Sequence, residues 1–364
     1  MSLKKHIFFW LLAFAAFVGF LLVFRAILLP FVAGMALAYL LDPVADRLEA
    51  YGFSRLLATL TILFVFVLLF VTFLVMLVPV LGHQLSGLIT DMPGYVQRLQ
   101  EVLFDQLGDR LGRLTGMTTQ DLKSSLGNLM GQGAGWLGDI LKSLWSGGQA
   151  LISLVSLIVV TPVVAFYLIH DWNGIVDKID GWLPRDHRDE ILRLAGQMNA
   201  AVSGFVRGQI SVCLLLGAFY AIGLVLVGLN FGLLIGIGAG LVSFIPFVGA
   251  TLGLVVSLVV AFVQFWPDWT MVAIVLGIFM VGQFLEGNIL QPKLVGTRVG
   301  LHPVWLMFAL FAFGYLFGFV GMLIAVPASA AIAVLARYAL ERYLNSALYH
   351  GTAHARSGTE SAEQ

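Results

Sequence analysis

Charge is what this sequence has least of. Asp, Glu, Lys and Arg make up 11% of its 364 residues, against roughly 25% in soluble domains. The 20 acidic and 20 basic residues cancel, so nothing in the charge balance points to nucleic acid. Residues 208–267 hold no charged residue at all. Cysteine is nearly absent: Cys213 stands alone in an apolar segment, which excludes an intramolecular disulfide and reads as a core thiol. Catalytic signatures are missing too. The chain has no G-x-x-x-x-G-K-[ST] phosphate loop, H-E-x-x-H, paired C-x-x-C or G-x-S-x-G, so ATP-driven pumping and hydrolysis find no support. The seven histidines are scattered. No enzyme activity, metal or cofactor is expected.

What fills the chain is apolar. Hydrophobic residues reach 60% and mean hydropathy is +0.96, the composition of an integral membrane protein. The N-terminal "MSLKKHIFFWLLAFAAFVGFLLVF" has too long an apolar run for a signal peptide and no A-x-A exit, so it reads as a retained first span. Runs at 6–24, 26–41, 56–81, 149–170, 206–229 and 269–287 suit membrane helices, which need about 20 residues. Two further runs, 231–265 and 303–337, are 35 residues each. A straight helix of that length measures about 52 Å, against a hydrocarbon core of about 30 Å.

Both long runs carry helix breakers near their middles. The first has Pro246 and Gly249 within "SFIPFVGATLG"; the second has Gly318 and Gly321 within "GFVG", followed by Pro327. "FVG" recurs at 247–249 and 319–321, an offset of 72. Paired broken helices in corresponding places point to a transport site. Either each run is one tilted span or each is a re-entrant hairpin; length and charge placement together favour the hairpin. The expected fold is an all-α polytopic membrane protein with about six full spans and two long broken elements.

Basic residues set the topology. Lys4, Lys5, Arg47, Arg55, Lys178, Arg185, Arg188, Arg193, Arg337 and Arg342 are placed inside by the positive-inside rule. That gives helices 1–3 in 1–81, an outer helical domain at 82–148, a fourth span at 149–170, and inner amphipathic helices at 171–205 broken at Leu183–Pro184. A transport core follows at 206–345, then a disordered inner tail at 346–364. Both termini lie in the cytoplasm on this reading.

Polar residues at membrane depth are the functional candidates, because keeping them there is costly. Gln283, Glu286 and Asn288 cluster at the end of one span, with Pro292 just beyond. Gln283 and Glu286 are three apart and share a helix face. Glu286 either carries a proton or cation, or anchors to Lys293 or Arg298. Arg207 and Gln209 open the fifth span, as a gate or a lipid contact. His170–Asp171 reads as a surface anchor, and Trp266 and Trp269 as interfacial belt residues. Gly228, Gly232, Gly236 and Gly240 fall four apart and suit close helix packing or a sliding interface.

The chain resembles the autoinducer-2 exporter family. The segments that carry the likeness are "LLPFVAGMALAYLLDPVADRLEAYGFSRLLATL", "FYLIHDWNGIVDKIDGWLPRDHRDEI" with "FVRGQ", "FIPFVGATLG", "EGNILQPKLVGTRVGLHPV" and "GFVGMLIAVPASA", in that order. The resemblance implies a transporter without its own ATPase in the bacterial inner membrane, a homo-oligomer with a pentamer as one form, and lipid and a small polar solute as partners. Members are linked to autoinducer-2 export and some to sodium/proton antiport. Solute-holding candidates are then Pro246, Phe247, Gly249, Gln283, Glu286, Asn288, Pro292, Gly318, Gly321 and Pro327. Export of a small polar solute leads. Cation/proton antiport through Glu286, and a scaffold binding a partner through 82–148, are the alternatives.

Overall fold

A computed structural model describes residues 3–115, 135, 148–246, 248–295, 302–346 and 349. Phe247, Arg298, most of 116–147 and most of the tail lie outside the described residues. Among those described, every regular element is helical: α1 (Leu3–Val23), α2 (Leu28–Ala50), α3 (Arg55–Thr115), α4 (Gly148–Trp182), α5 (Arg188–Leu226), α6 (Gly232–Val242), α7 (Val248–Phe265), α8 (Trp269–Leu285) and α9 (Pro303–Leu344). Residues Glu286–Val295 continue α8 as a π-helix. Among the described residues, seven helical stretches are long and apolar enough to cross a membrane. The chain is an all-α, multi-pass membrane protein.

Two helices run further than hydropathy alone suggests. The segment 171–205 is not a separate pair of helices: α4 continues to Trp182 and α5 begins at Arg188. Loss of hydropathy marks where a helix leaves lipid, not where its backbone hydrogen bonding stops. The break does fall at Leu183–Pro184, where proline withholds a donor. Arg188 closes the elbow with two bonds to Asp180, at 2.7 and 2.6 Å. Likewise α3 carries 61 residues, a rod of about 90 Å at 1.5 Å per residue, so the start of the 82–148 segment is the third span prolonged.

The chain divides into two compact units. The first comprises Met1–Arg47, Val164–Gly208 and Val295–Gln364; the second comprises Leu48–Val163 and Gln209–Leu294.

In the second unit, α5 ends in a Schellman turn. Leu229 N–H donates to Leu224 O and Gly228 N–H to Val225 O, with Gly228 at φ +73°, the left-handed position that glycine fills at a helix end. Gly228 therefore sits in the turn and not on the helical stripe read from its spacing. The other three glycines seat α6 on α5. A Cβ on Gly232 would meet Leu224, on Gly236 the Tyr220–Ala221 backbone, and on Gly240 the Gly217 backbone. Small residues let two helices approach until their backbones touch.

After a break that begins at Ser243 and includes Pro246, the chain returns as α7. Gly253 faces Ala239, and Gly249 faces Ser243 and the Ala239 carbonyl. Ala239 and Gly253 lie seven residues either side of Pro246, so the first long run is a helical hairpin with its tip at the proline. The 227–231 turn at its base is held from afar. Gln264 accepts from Asn230 N–H and donates to Gly228 O, both at 2.8 Å, while Gln84 on α3 accepts from Leu234 N–H at 3.0 Å. Phe231, at φ 59°, sits over Gly87 and edge-on to Tyr95.

In the first unit, α9 is also a hairpin. By length and composition it qualifies as one span, but its backbone leaves helical geometry at Gly318, with φ 62° and ψ −139°. Gly314 then meets Met322, and Gly321 meets the Phe313 carbonyl and Phe317. Residues eight apart lie about 12 Å apart along an unbroken helix, so these contacts require the chain to reverse. Gly314 and Met322 flank Gly318 symmetrically. The two tips, Pro246 and Gly318, are 72 residues apart, the same offset at which "FVG" recurs.

Candidate functional site

Breaking a helix among apolar neighbours frees backbone groups that water cannot reach, at several kcal/mol each in lipid. At the tip of the α6–α7 hairpin the structure meets that demand from a distant helix. Ser243 lies just past α6 and is 2% exposed. Its N–H and its hydroxyl both turn back to Ala239 O, at 2.9 and 2.8 Å. Its own carbonyl accepts from the side-chain amide of Gln209 at 2.8 Å. Gln209, on α5, is wholly buried, and such an amide is costly unless bonded at both ends. Its oxygen accepts from Gln291 at 3.4 Å. A polar chain thus runs from Gln291 through Gln209 to the Ser243 carbonyl.

Gln291 stands in the π-helical stretch Glu286–Val295, which contains Pro292. A π-helix bonds each N–H five residues back instead of four, and such stretches favour functional sites. Proline here lacks the N–H that either register would use. The Glu286 carboxyl, half-buried, also faces the Gln291 amide and lies in the electrostatic neighbourhood of Tyr220 and Cys213. Tyr220 is fully buried, and stacks on Phe279 with centroids 4.6 Å apart. Gly282 leaves room for its phenol. The Tyr220 hydroxyl and that of Ser257, equally buried, have no hydrogen-bond partner among the described residues. Each such group costs about 1–3 kcal/mol when left unmet.

The candidates from the sequence divide between the units. Pro246, Gly249, Gln209, Glu286 and Pro292 belong to the second unit, at or beside this chain. Gln283 and Asn288 are in that unit but exposed, and Asn288 donates to Phe284 O one turn back, at 3.1 Å. Gly318, Gly321, Pro327 and Arg207 belong to the first unit. Three members escaped the sequence reading: Ser243, Gln291 and Tyr220. Gln291 had a legible signal, a polar residue before a proline at membrane depth. Ser243 and Tyr220 had none, because their roles depend on which helix lies opposite.

No group of three or more His, Cys, Asp or Glu side chains suited to a metal ion occurs among the described residues. The arrangement offers amide, hydroxyl, carbonyl and carboxyl groups in an apolar surround, suited to hydrogen-bonding a polar solute.

Comparison with known proteins agrees with this architecture. The family model described as "AI-2E family transporter" matches residues 8–341. YrrI of Bacillus subtilis (strain 168), named as a transport protein, is 29% identical over 319 residues, 87% of each chain. YueF of the same organism, also named as a transport protein, is 26% identical, over 87% of this chain and 85% of that one. PerM of Escherichia coli (strain K12), named as a permease, is 28% identical over 85% of this chain and 86% of its own. With nearly its whole length matched and its broken helices in place, the chain belongs to the AI-2E family of membrane transporters.

Proposed function

We propose that this chain exports a small polar solute across the bacterial cytoplasmic membrane without hydrolysing ATP, holding the solute at the break of the α6–α7 hairpin. The observation that carries this reading is the buried chain from Gln291 through Gln209 to the Ser243 carbonyl. It gives a broken, apolar element a partner able to exchange hydrogen bonds. A solute hydroxyl could replace Gln209 at the Ser243 carbonyl, or take up the Tyr220 hydroxyl, at little net change in hydrogen bonding. Autoinducer-2 is the first solute to test. Both termini face the cytoplasm, 82–148 faces outward, and the working form is a homo-oligomer on this reading.

The test is efflux of labelled autoinducer-2 and a panel of small polar solutes from proteoliposomes. Gln209→Leu is expected to lower the rate at least tenfold, while Glu286→Gln leaves a solute flux largely intact. Unchanged flux in Gln209→Leu would sink the assignment of the site. Flux that needs a proton gradient and vanishes in Glu286→Gln would replace solute export by cation/proton antiport.

A further inference from the structure

A strained residue stands at the base of the α6–α7 hairpin. Phe231, just before α6, lies in the left-handed region at φ 59° and ψ 14°. Among the described residues it alone has a positive φ without being glycine. For a bulky aromatic residue that conformation is a genuine outlier, and it persists only where surrounding contacts over-determine it. Those contacts come from α3. The half-buried ring lies over Gly87, where a Cβ would stand 3.0 Å from it. It is edge-on to Tyr95, with centroids 6.3 Å apart.

The bonds around this ring fall into two sets. Gln264 accepts from Asn230 N–H and donates to Gly228 O, which ties α7 and the 227–231 turn into one body. Two further bonds reach α3: Asn230 Nδ2 donates to the Tyr95 hydroxyl at 3.3 Å, and Leu234 N–H donates to Gln84 at 3.0 Å. Asn230 is exposed, so water can replace its bond to Tyr95 at little net cost. The joint to α5 is open as well. Gly228 has φ +73°, and a Cβ there would meet nothing within 4 Å. Beyond that joint α6 lies on α5 through glycines, a seam to which those positions add no side-chain ridge. If the ring leaves α3, the backbone at 231 is free to enter an ordinary region. Relieved strain then offsets part of the lost contact, which brings the two arrangements closer in free energy. A packed element with two discrete arrangements is a switch.

We infer that Phe231 is a latch. Seated against Gly87 and Tyr95, it fastens the base of the hairpin to α3. Swung out, it frees the hairpin to move about the Gly228 joint and to carry the Ser243 end with it. Because α3 is one helix from Arg55 to Thr115, the latch couples the outer part of that rod to the hairpin. The inference goes beyond the transport reading, and only the flux arm of its test rests on that reading.

The test places spin labels at Thr90→Cys on α3 and Leu241→Cys on α6, both exposed positions. The full-length protein carries Cys213→Ala and is held in nanodiscs, and double electron–electron resonance reads the distance distribution. A latched and a displaced population are expected. Phe231→Ala removes the ring and keeps a residue ill-suited to positive φ, so it should raise the displaced fraction at least threefold. Phe231→Gly removes the ring but suits the turn, and should raise it less. In a second protein, Gln84→Cys and Leu234→Cys are bridged by a short bis-methanethiosulfonate. Bridging should cut solute efflux from proteoliposomes at least tenfold, with recovery on reduction by dithiothreitol. A distance distribution that Phe231→Ala leaves unchanged overturns the latch, as does full efflux by the bridged protein. A shift in Phe231→Gly as large as that in Phe231→Ala overturns the part played by strain. Distances that respond as stated in a protein with no efflux even when unbridged would support the latch and sink the transport reading alone.

Discussion

The hairpin of α6 and α7 turns through residues 243–246, whereas the arms of α9 turn at Gly318 alone. The first is wired to distant parts of its unit: Gln209 meets the Ser243 carbonyl, Gln84 meets the start of α6, and Gln264 holds the turn at its base. The contacts that reveal the second are local, with Gly321 against Phe313 and Gly314 against Met322. Gly318 is exposed while Ser243 is buried. One break is a feature of a single residue's backbone. The other is met at the Ser243 carbonyl by a hydrogen bond from Gln209, 34 positions away on another helix.

Substitutions that close each hairpin's seam should have the largest effect. Gly249→Val places side-chain atoms on the Ser243 and Ala239 backbone. Overpacking of this kind costs about 1–3 kcal/mol and occasionally more, so both the thermal midpoint in detergent and solute flux are expected to collapse. Gly321→Ala, against the Phe313 carbonyl, tests the same point in α9.

A smaller effect should separate the two. Gly318→Ala forces a side chain into a φ/ψ region open almost only to glycine, at about 1–3 kcal/mol. It is expected to lower the midpoint through α9 alone. Gln209→Leu leaves the Ser243 carbonyl unmet, at about 1–3 kcal/mol, and is expected to change amide exchange in no part of α9. Hydrogen exchange followed by mass spectrometry distinguishes them: faster exchange in 232–265 for Gln209→Leu, and in 303–344 for Gly318→Ala. Identical exchange patterns in the two variants would remove the contrast between local and long-range breaks.

The smallest expected change comes from Gln84→Ala. Gln84 serves α6 as a borrowed N-cap, and removing a cap costs about 0.5–2 kcal/mol. The midpoint should fall slightly, with exchange rising first at 232–236.

Much of the architecture was legible in the residues. Apolar runs gave the spans, Leu183–Pro184 gave the elbow, and the breakers at Pro246 and Gly318 gave two reversals. Gly228 was not legible as a turn, because four-residue spacing looks the same whether or not the helix continues through it. The ends of α3 and α4 were also hidden, since hydropathy reports lipid contact and helix length reports hydrogen bonding. Of the site, Glu286 and Gln209 could be singled out as polar residues among apolar ones. Their partners could not, and Gln283, one turn from Glu286, proved to be exposed.

The sequence by itself determined that this chain lives in a membrane, that its structure is helical, and that its helices break at matched places. Those are properties of single residues and their local spacing: hydropathy, a missing N–H, a missing Cβ. Only the tertiary structure decided that Gln209 meets the Ser243 carbonyl and that Arg207 donates to the Tyr39 carbonyl. Such pairings join residues 34 and 168 positions apart. They follow from which helix packs against which, and no local pattern in the chain encodes that.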